Sequence, residues 1–213
     1  MINIGLLEDQ QLVREGIARL IHLNPDHCLL WQAENGEQAL PLVTDQPVDL
    51  IISDIRMPVM NGIRFVTELR NRGSTTPVLI LTTFDDHQLF ISALKAGING
   101  FLLKDVSLEK LNEAIRVVVA GGFLAEPTLL NNQGLQDLAG TEDDQELPQA
   151  TVLSKKDVQI LSYIAAGFSN KEIAEASFLA EGTVKNRISE ILLKLNCRDR
   201  TQAVLKALRW RLL

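Results

Sequence analysis

Cysteine is scarce: Cys28 and Cys197 are the only two in 213 residues. Two cysteines cannot build a disulfide scaffold, and their scarcity points to a reducing compartment. Long apolar runs are missing too. The uncharged stretch Val117–Ala125 falls well short of the ~18 apolar residues that a membrane span needs. Met1-Ile2-Asn3-Ile4 lacks the basic region of a signal peptide. The three histidines, His22, His27 and His87, form no His/Cys cluster with metal-ligand spacing. No internal repeat is evident. The expectation is a soluble, cytoplasmic protein without a membrane partner. Its 46% apolar content is enough for packed cores.

The net charge of −6 is unevenly spread. Residues 1–125 carry 10 basic and 15 acidic side chains, or −5. Residues 126–150 carry 0 and 6, or −6, and residues 151–213 carry 11 and 6, or +5. Only the basic tail suits a polyanionic partner.

The first 120 residues alternate short apolar runs with helical spacing. The runs are Ile4–Leu7, Cys28–Trp31, Leu50–Ser53, Val78–Leu81 and Gly100–Leu103. Strand and helix alternating five times predict an α/β domain with a five-stranded, doubly wound parallel sheet. Gly121-Gly122 closes the fifth helix, so the first domain is read as 1–122. Residues 123–150 read as an acidic, flexible linker that can hold a short helical piece. Residues 151–213 show no strand signal. Ser154-Lys155-Lys156-Asp157 is a variant capping box, and Ser169-Asn170-Lys171-Glu172 a full one. A longer helix follows from near Glu181, and a last one covers about Thr201–Arg211. Four short helices with a tight turn between the second and third predict an all-α helix-turn-helix domain.

The strand ends carry the chemistry. Glu8 and Asp9 follow the first strand, Asp54 the third, Thr82 the fourth and Lys104 the fifth. In a sheet of order 2-1-3-4-5 (flavodoxin-like), strands one and three flank the switch point where ligands bind. Three carboxylates in one crevice repel each other unless a hard cation such as Mg²⁺ sits among them. With Mg²⁺ and Lys104 in place, one aspartate can attack a phosphoryl group.

The set Leu6-Leu7-Glu8-Asp9-Gln10, Asp54-Ile55-Arg56-Met57-Pro58 with Asn61-Gly62, Leu81-Thr82-Thr83 and Phe101-Leu102-Leu103-Lys104 resembles the CheY-like receiver domain of two-component response regulators. The resemblance implies that Asp54 accepts a phosphoryl group from a sensor histidine kinase. It implies that Asp9, Asp54 and the Arg56 backbone carbonyl hold Mg²⁺, with Glu8 acting through a water. Lys104 would pair with the phosphoryl oxygens, Thr82 would move toward them, and Phe101 would follow as the aromatic switch. Asp105 after Lys104 and Asn61 before Gly62 depart from commoner residues. Arg56 and Phe84 occupy positions that tune dephosphorylation in the family.

Leu153-Ser154, Gly167 to Ala174, Thr183-Val184-Lys185-Asn186, Lys194-Leu195 and Arg198 to Ala203 resemble the LuxR/NarL-type DNA-binding domain. That resemblance implies a recognition helix in the major groove, with Lys185, Asn186 and Ser189 facing bases or phosphates. Arg187, Lys194, Arg198 and Arg200 surround this helix and its exit as further DNA contacts. About four phosphate contacts per protomer would give a dimer a salt slope on the order of −7. Leu205, Leu208 and Trp210 line the last helix, which the resemblance makes a dimer contact. Arg187 replaces a common His, and Ser177 and Ala180 replace the usual Leu and Ser of the turn.

Together these features predict a transcription regulator of the NarL/LuxR class, and not an enzyme beyond its own phosphoryl transfer and slow autodephosphorylation. Phosphorylation would drive homodimerisation through the first and fifth helices, unmask the tail and favour paired half-sites on double-stranded DNA. RNA polymerase is a further expected partner. The alternative is a DNA-binding regulator whose receiver-like domain pairs without phosphate. An aspartyl phosphatase resembling the haloacid dehalogenases would need an acid two residues after Asp54. Arg56 stands there and cannot donate a proton at neutral pH.

Overall fold

The computed structural model describes residues 1–83, 87–125, 153–165, 168–197, 199–210 and 212, without the side chains of His87, Thr201, Leu205, Leu208 and Arg209. Phe84, Arg198 and most of the expected linker lie outside the described residues.

Strands β1 (Ile2–Leu7), β2 (His27–Ala33), β3 (Leu50–Ser53), β4 (Val78–Thr82) and β5 (Gly100–Leu103) alternate with helices α1 (Gln11–His22), α2 (Gly36–Asp45), α3 (Gly62–Asn71), α4 (His87–Ala96) and α5 (Leu108–Val119). All pairings are parallel, in the order β2-β1-β3-β4-β5. A sixth strand, β6 (Leu124–Ala125), adds to the far edge and pairs Leu124 with Gly100 and Ala125 with Phe101. The two-residue strand extends the sheet into the segment read from sequence as the start of the linker. It is too short to show the alternation that marks a strand.

Side chains alternate across the sheet, so each face builds its own core. Leu7, Ile51, Val78, Ile80 and Phe101 point to one side and meet Leu40, Phe65, Leu69, Phe90 and Leu94 of α2, α3 and α4. Ile4, Leu6, Leu50, Ile52, Leu79 and Leu102 point to the other and meet Ile17, Ile21, Leu111, Ile115 and Val118 of α1 and α5. Asn35, Asn61 and Ser107 cap α2, α3 and α5 through side-chain acceptors. Gly97 and Gly121 end α4 and α5 with positive φ, which a glycine adopts without strain.

The tail forms α6 (Lys155–Ala165), α7 (Asn170–Ser177), α8 (Glu181–Lys194) and α9 (Arg200–Arg209). Both expected capping boxes form. Ser154 and Asp157 exchange side-chain and backbone bonds at 3.0 and 3.2 Å. Ser169 and Glu172 do the same at the start of α7. Ile160, Leu161, Ile164, Ile173, Val184, Ile188, Ile191 and Ala207 make a third, separate core. No helix among the described residues is long and apolar enough to cross a membrane.

Candidate functional site

The parallel sheet brings the ends of β1, β3, β4 and β5 to one edge. Backbone bonds fix their heights: the Asp54 N–H donates to the Leu7 carbonyl at 2.9 Å, and the Lys104 N–H to the Thr82 carbonyl at 2.7 Å. Glu8, Asp9 and Asp54 therefore converge, with one ligand oxygen from each within 4.8 Å of the others. Among the described residues no other group of acidic, His or Cys side chains converges this way.

Lys104 closes the pocket. Its Nζ donates to Glu8 Oε2 at 2.6 Å and to Asp54 Oδ2 at 2.8 Å. All three groups are largely withdrawn from water. One ammonium facing three carboxylates leaves two negative charges, the charge a divalent cation would neutralise. Asp9 Oδ1 is buried and without a hydrogen-bond partner among the described residues. A hard cation satisfies such an acceptor, so these residues fit Mg²⁺.

The local electrostatics record the conflict. Burial pushes the Glu8 carboxyl above its ordinary value, the nearby Asp54 pushes the same way, and Lys104 only partly opposes them. Burial alone would lower Lys104. Its bonds to Asp54 and Glu8 outweigh that and hold its ammonium above the ordinary lysine value.

Two positioning groups carried no sequence signal. The Ile55 N–H donates to Asp54 Oδ1 at 2.7 Å, which fixes the carboxylate and leaves Oδ2 to Lys104. Arg14 Nη1 donates to the Glu8 carbonyl at 2.6 Å and anchors the β1–α1 loop. Gly62 stands in the receiver-like motif without a stated reason, and the structure supplies one: a Cβ there would lie 2.2 Å from the Asp54 carbonyl oxygen. The backbone approaches too closely for any side chain.

Thr82 Oγ1 is buried beside the pocket and has no partner among the described residues. Phe101 is fully buried on β5, edge-on to Phe90 of α4 with centroids 5.1 Å apart. Arg56 is exposed on the β3–α3 loop.

In the tail, α8 begins at Glu181 as expected, and Lys185, Asn186 and Ser189 are exposed on its outer face. Ala180 is the N-cap and makes no side-chain cap bond. Among the other basic residues, Arg200 requires correction. Arg200 is 9% exposed and cannot meet a phosphate in this arrangement. Its guanidinium donates to the Phe168 carbonyl at 3.0 Å and to the Gly121 carbonyl, because α9 starts with this side chain turned into the protein. Burial lowers its pKa to about 10. The side chains of Arg187 and Lys194 stay 33% and 40% exposed, and both pair with the carboxylate of Asp157. Trp210 packs against the third core, with Lys206 Nζ 5.8 Å from its ring centre. The side chains of Leu205 and Leu208, and all of Arg198, lie outside the described residues.

Comparison with known proteins agrees with both halves. Residues 4–116 match the response regulator receiver domain, and residues 151–207 match the bacterial regulatory proteins of the luxR family. The transcriptional regulatory protein LnrK of Bacillus subtilis (strain 168) is 36% identical over 99% of this chain and 98% of its own. The nitrate/nitrite response regulator protein NarP of Escherichia coli (strain K12) is 32% identical over 98% of this chain and 95% of its own. Among solved structures, the response regulator ChrA of a heme-sensing two-component system superposes with a TM-score of 0.54. It is 30% identical and covers 100% of this chain and 98% of its own.

Proposed function

Since the chain belongs to the response regulators that join a receiver domain to a luxR-family DNA-binding domain, we propose that phosphorylation of Asp54 switches this transcriptional regulator. The observation that carries the reading is the Lys104 bridge between Glu8 and Asp54 inside the three-carboxylate cluster. Asp9, Asp54 and the Arg56 carbonyl would hold Mg²⁺, with Glu8 supporting them. The bound ion would supply charge neutralisation for the carboxylates and for the incoming phosphoryl oxygens.

The phosphoryl donor is a phosphohistidine of a sensor kinase. An Asp54 carboxylate oxygen attacks phosphorus, an O–P bond forms, and the P–N bond to the imidazole breaks. The leaving imidazole takes up a proton. Ile55 N–H holds one Asp54 oxygen in place, so the nucleophile is oriented before its partner arrives. Lys104 already lies 2.8 Å from Asp54 and pairs with the phosphoryl oxygens once they form. Thr82 Oγ1, buried and unpartnered among the described residues, donates to one of them. Its movement vacates space that Phe101 fills, and the β4–β5 edge changes shape. Moving the equilibrium from 1:99 to 99:1 takes about 5.5 kcal/mol of preference for the phosphorylated state.

The receiver is residues 1–122 with its added strand β6, and the DNA-binding domain is 151–213. The phosphorylated chain acts in the cytoplasm as a homodimer. It binds paired half-sites about one helical turn apart and presents itself to RNA polymerase there. Lys185, Asn186 and Ser189 read the DNA. Their exposure on α8 supports this, as does the net +5 of residues 151–213.

Size-exclusion chromatography with light scattering tests the switch. Beryllium trifluoride with Mg²⁺ mimics a phosphoryl group on aspartate. Wild type should move from monomer to dimer, and Asp54→Ala should not. A wild type that dimerises equally with and without the mimic would favour pairing without phosphate.

A further inference from the structure

The surface of α8 has two functional sides, and they treat charge differently. Lys185 and Ser189 stand one turn apart on the outer side, with Asn186 beside them, and all three are exposed. Arg187 and Lys194 stand two turns apart on another side, toward α6. There they meet Asp157, whose carboxylate is 1% exposed. Lys194 Nζ donates to Asp157 Oδ2 at 2.8 Å, and Arg187 Nη1 lies 3.5 Å from Oδ1. The Ser154 N–H donates to Oδ2 at 3.0 Å and ties the carboxylate to the start of α6.

Asp157 is charged at neutral pH. Burial works against its ionised form, but the bonds from Lys194 and Ser154 win and hold its carboxyl below the ordinary value. The first turn of a helix further favours an anion there. A buried carboxylate with two cationic partners is costly to strip of either one. Both cations are therefore committed to the protein before any DNA arrives.

We propose that Asp157 is a positioning residue that withholds Arg187 and Lys194 from phosphates, so that α8 meets DNA chiefly through Lys185, Asn186 and Ser189. The inference rests on the DNA-binding reading above. Phosphate contacts add affinity for every sequence, whereas base contacts discriminate among sequences. A recognition helix that carries three cations, two of them paired with a buried carboxylate, binds random DNA less tightly than its charge suggests. Asp157 thereby widens the gap between specific and non-specific binding. It also locks the pitch of α8 against α6, since the bridge is anchored two turns apart on one helix.

The experiment uses the full-length chain with Mg²⁺ and beryllium trifluoride. A fluorescein-labelled duplex of random sequence, about three helical turns long, is titrated by anisotropy at several KCl concentrations. The slope of log affinity against log salt counts phosphate contacts at ~0.9 each. Lys194→Gln should leave the slope unchanged, because that charge is already spent within the protein. Lys185→Gln should make it shallower by ~0.9 per chain. Asp157→Asn should tighten binding and steepen the slope by roughly 1–2 per chain, as one or both released cations reach phosphates. In the double variant Asp157→Asn/Lys194→Gln, part of that gain should vanish. Mere loss of packing would weaken binding and could not steepen the slope. If circular dichroism shows that Asp157→Asn does not fold, Lys194→Gln decides alone. A Lys194→Gln slope shallower by ~0.9, or a folded Asp157→Asn with an unchanged slope, overturns the inference. A wild type that does not bind the duplex at any salt overturns the DNA-binding reading itself, and this inference with it.

Discussion

Glu8 pays most for the pocket. It is fully buried, next to Asp54, and shares the Lys104 ammonium with that neighbour. Its carboxyl is raised above the ordinary 4.5 by burial first and by Asp54 second. The native state thus holds this proton more firmly than the unfolded chain does. Stability tied to Glu8 falls as pH rises from about 4.5 toward the higher native value. In metal-free buffer, Glu8→Gln should lose less stability than wild type as pH is raised through that window. Urea melts at the two ends of the window measure it, and equal losses would refute the account. The pocket residues were legible because each follows an apolar run, and a parallel sheet sends all such ends to one edge. The basic residues of the tail were less so. A sequence gives the charge of Arg200, Arg187 and Lys194 but not their direction. Their partners, the Gly121 and Phe168 carbonyls and Asp157, lie 79, 32, 30 and 37 positions away in the order of those bonds.

Helices in the tail depend on their first turns. Ser169 makes a full capping box at α7, and Ser169→Ala should destabilise the tail by ~1 kcal/mol. Ala180 begins α8 in extended backbone with no side chain to accept a bond. Ala180→Ser should stabilise the tail by a similar ~1 kcal/mol. Thermal melts of the two variants should therefore shift in opposite directions from wild type, and a serine at 180 without a gain would show that the cap geometry is wrong. Boxes of this kind are local and were read correctly from four-residue spacing. Strand β6 was not, because its pairing with Gly100 and Phe101 is decided by the β5 edge and not by its own two residues. Phe178 was also silent in sequence. It sits at the end of α7 in left-handed backbone, 96% exposed, where a glycine would be the usual choice.

At the scale of the whole chain, three apolar cores make two folding units. The two cores on either face of the sheet share its strands and must form together. The tail core shares no residue with them. Scanning calorimetry should resolve two transitions. Mg²⁺ with beryllium trifluoride should raise only the receiver's, by about 2.7 kcal/mol of added stability when the ligand stands at a hundred times its dissociation constant. Asp54→Ala should abolish that shift. A tail transition that rose equally would show that the two units melt as one. The charge split between an acidic front and a basic back was plain from residue counts. The bond from Arg200 to the Gly121 carbonyl, which joins the two, was not.

Strand β6 bears on where this chain can be cut. Gly121-Gly122 looks like a natural end for a receiver fragment, and a protein truncated there keeps Glu8, Asp9, Asp54, Thr82 and Lys104. It would also lose Leu124 and Ala125, which cover the backbone of Gly100 and Phe101. Bare strand edges recruit other strands. A fragment ending at Gly122 should therefore self-associate through β5 at high concentration, and one extended past Ala125 should stay dispersed. Sedimentation velocity of the two fragments would tell them apart. Dimers seen with the shorter piece would then report an exposed edge, and say nothing about phosphorylation.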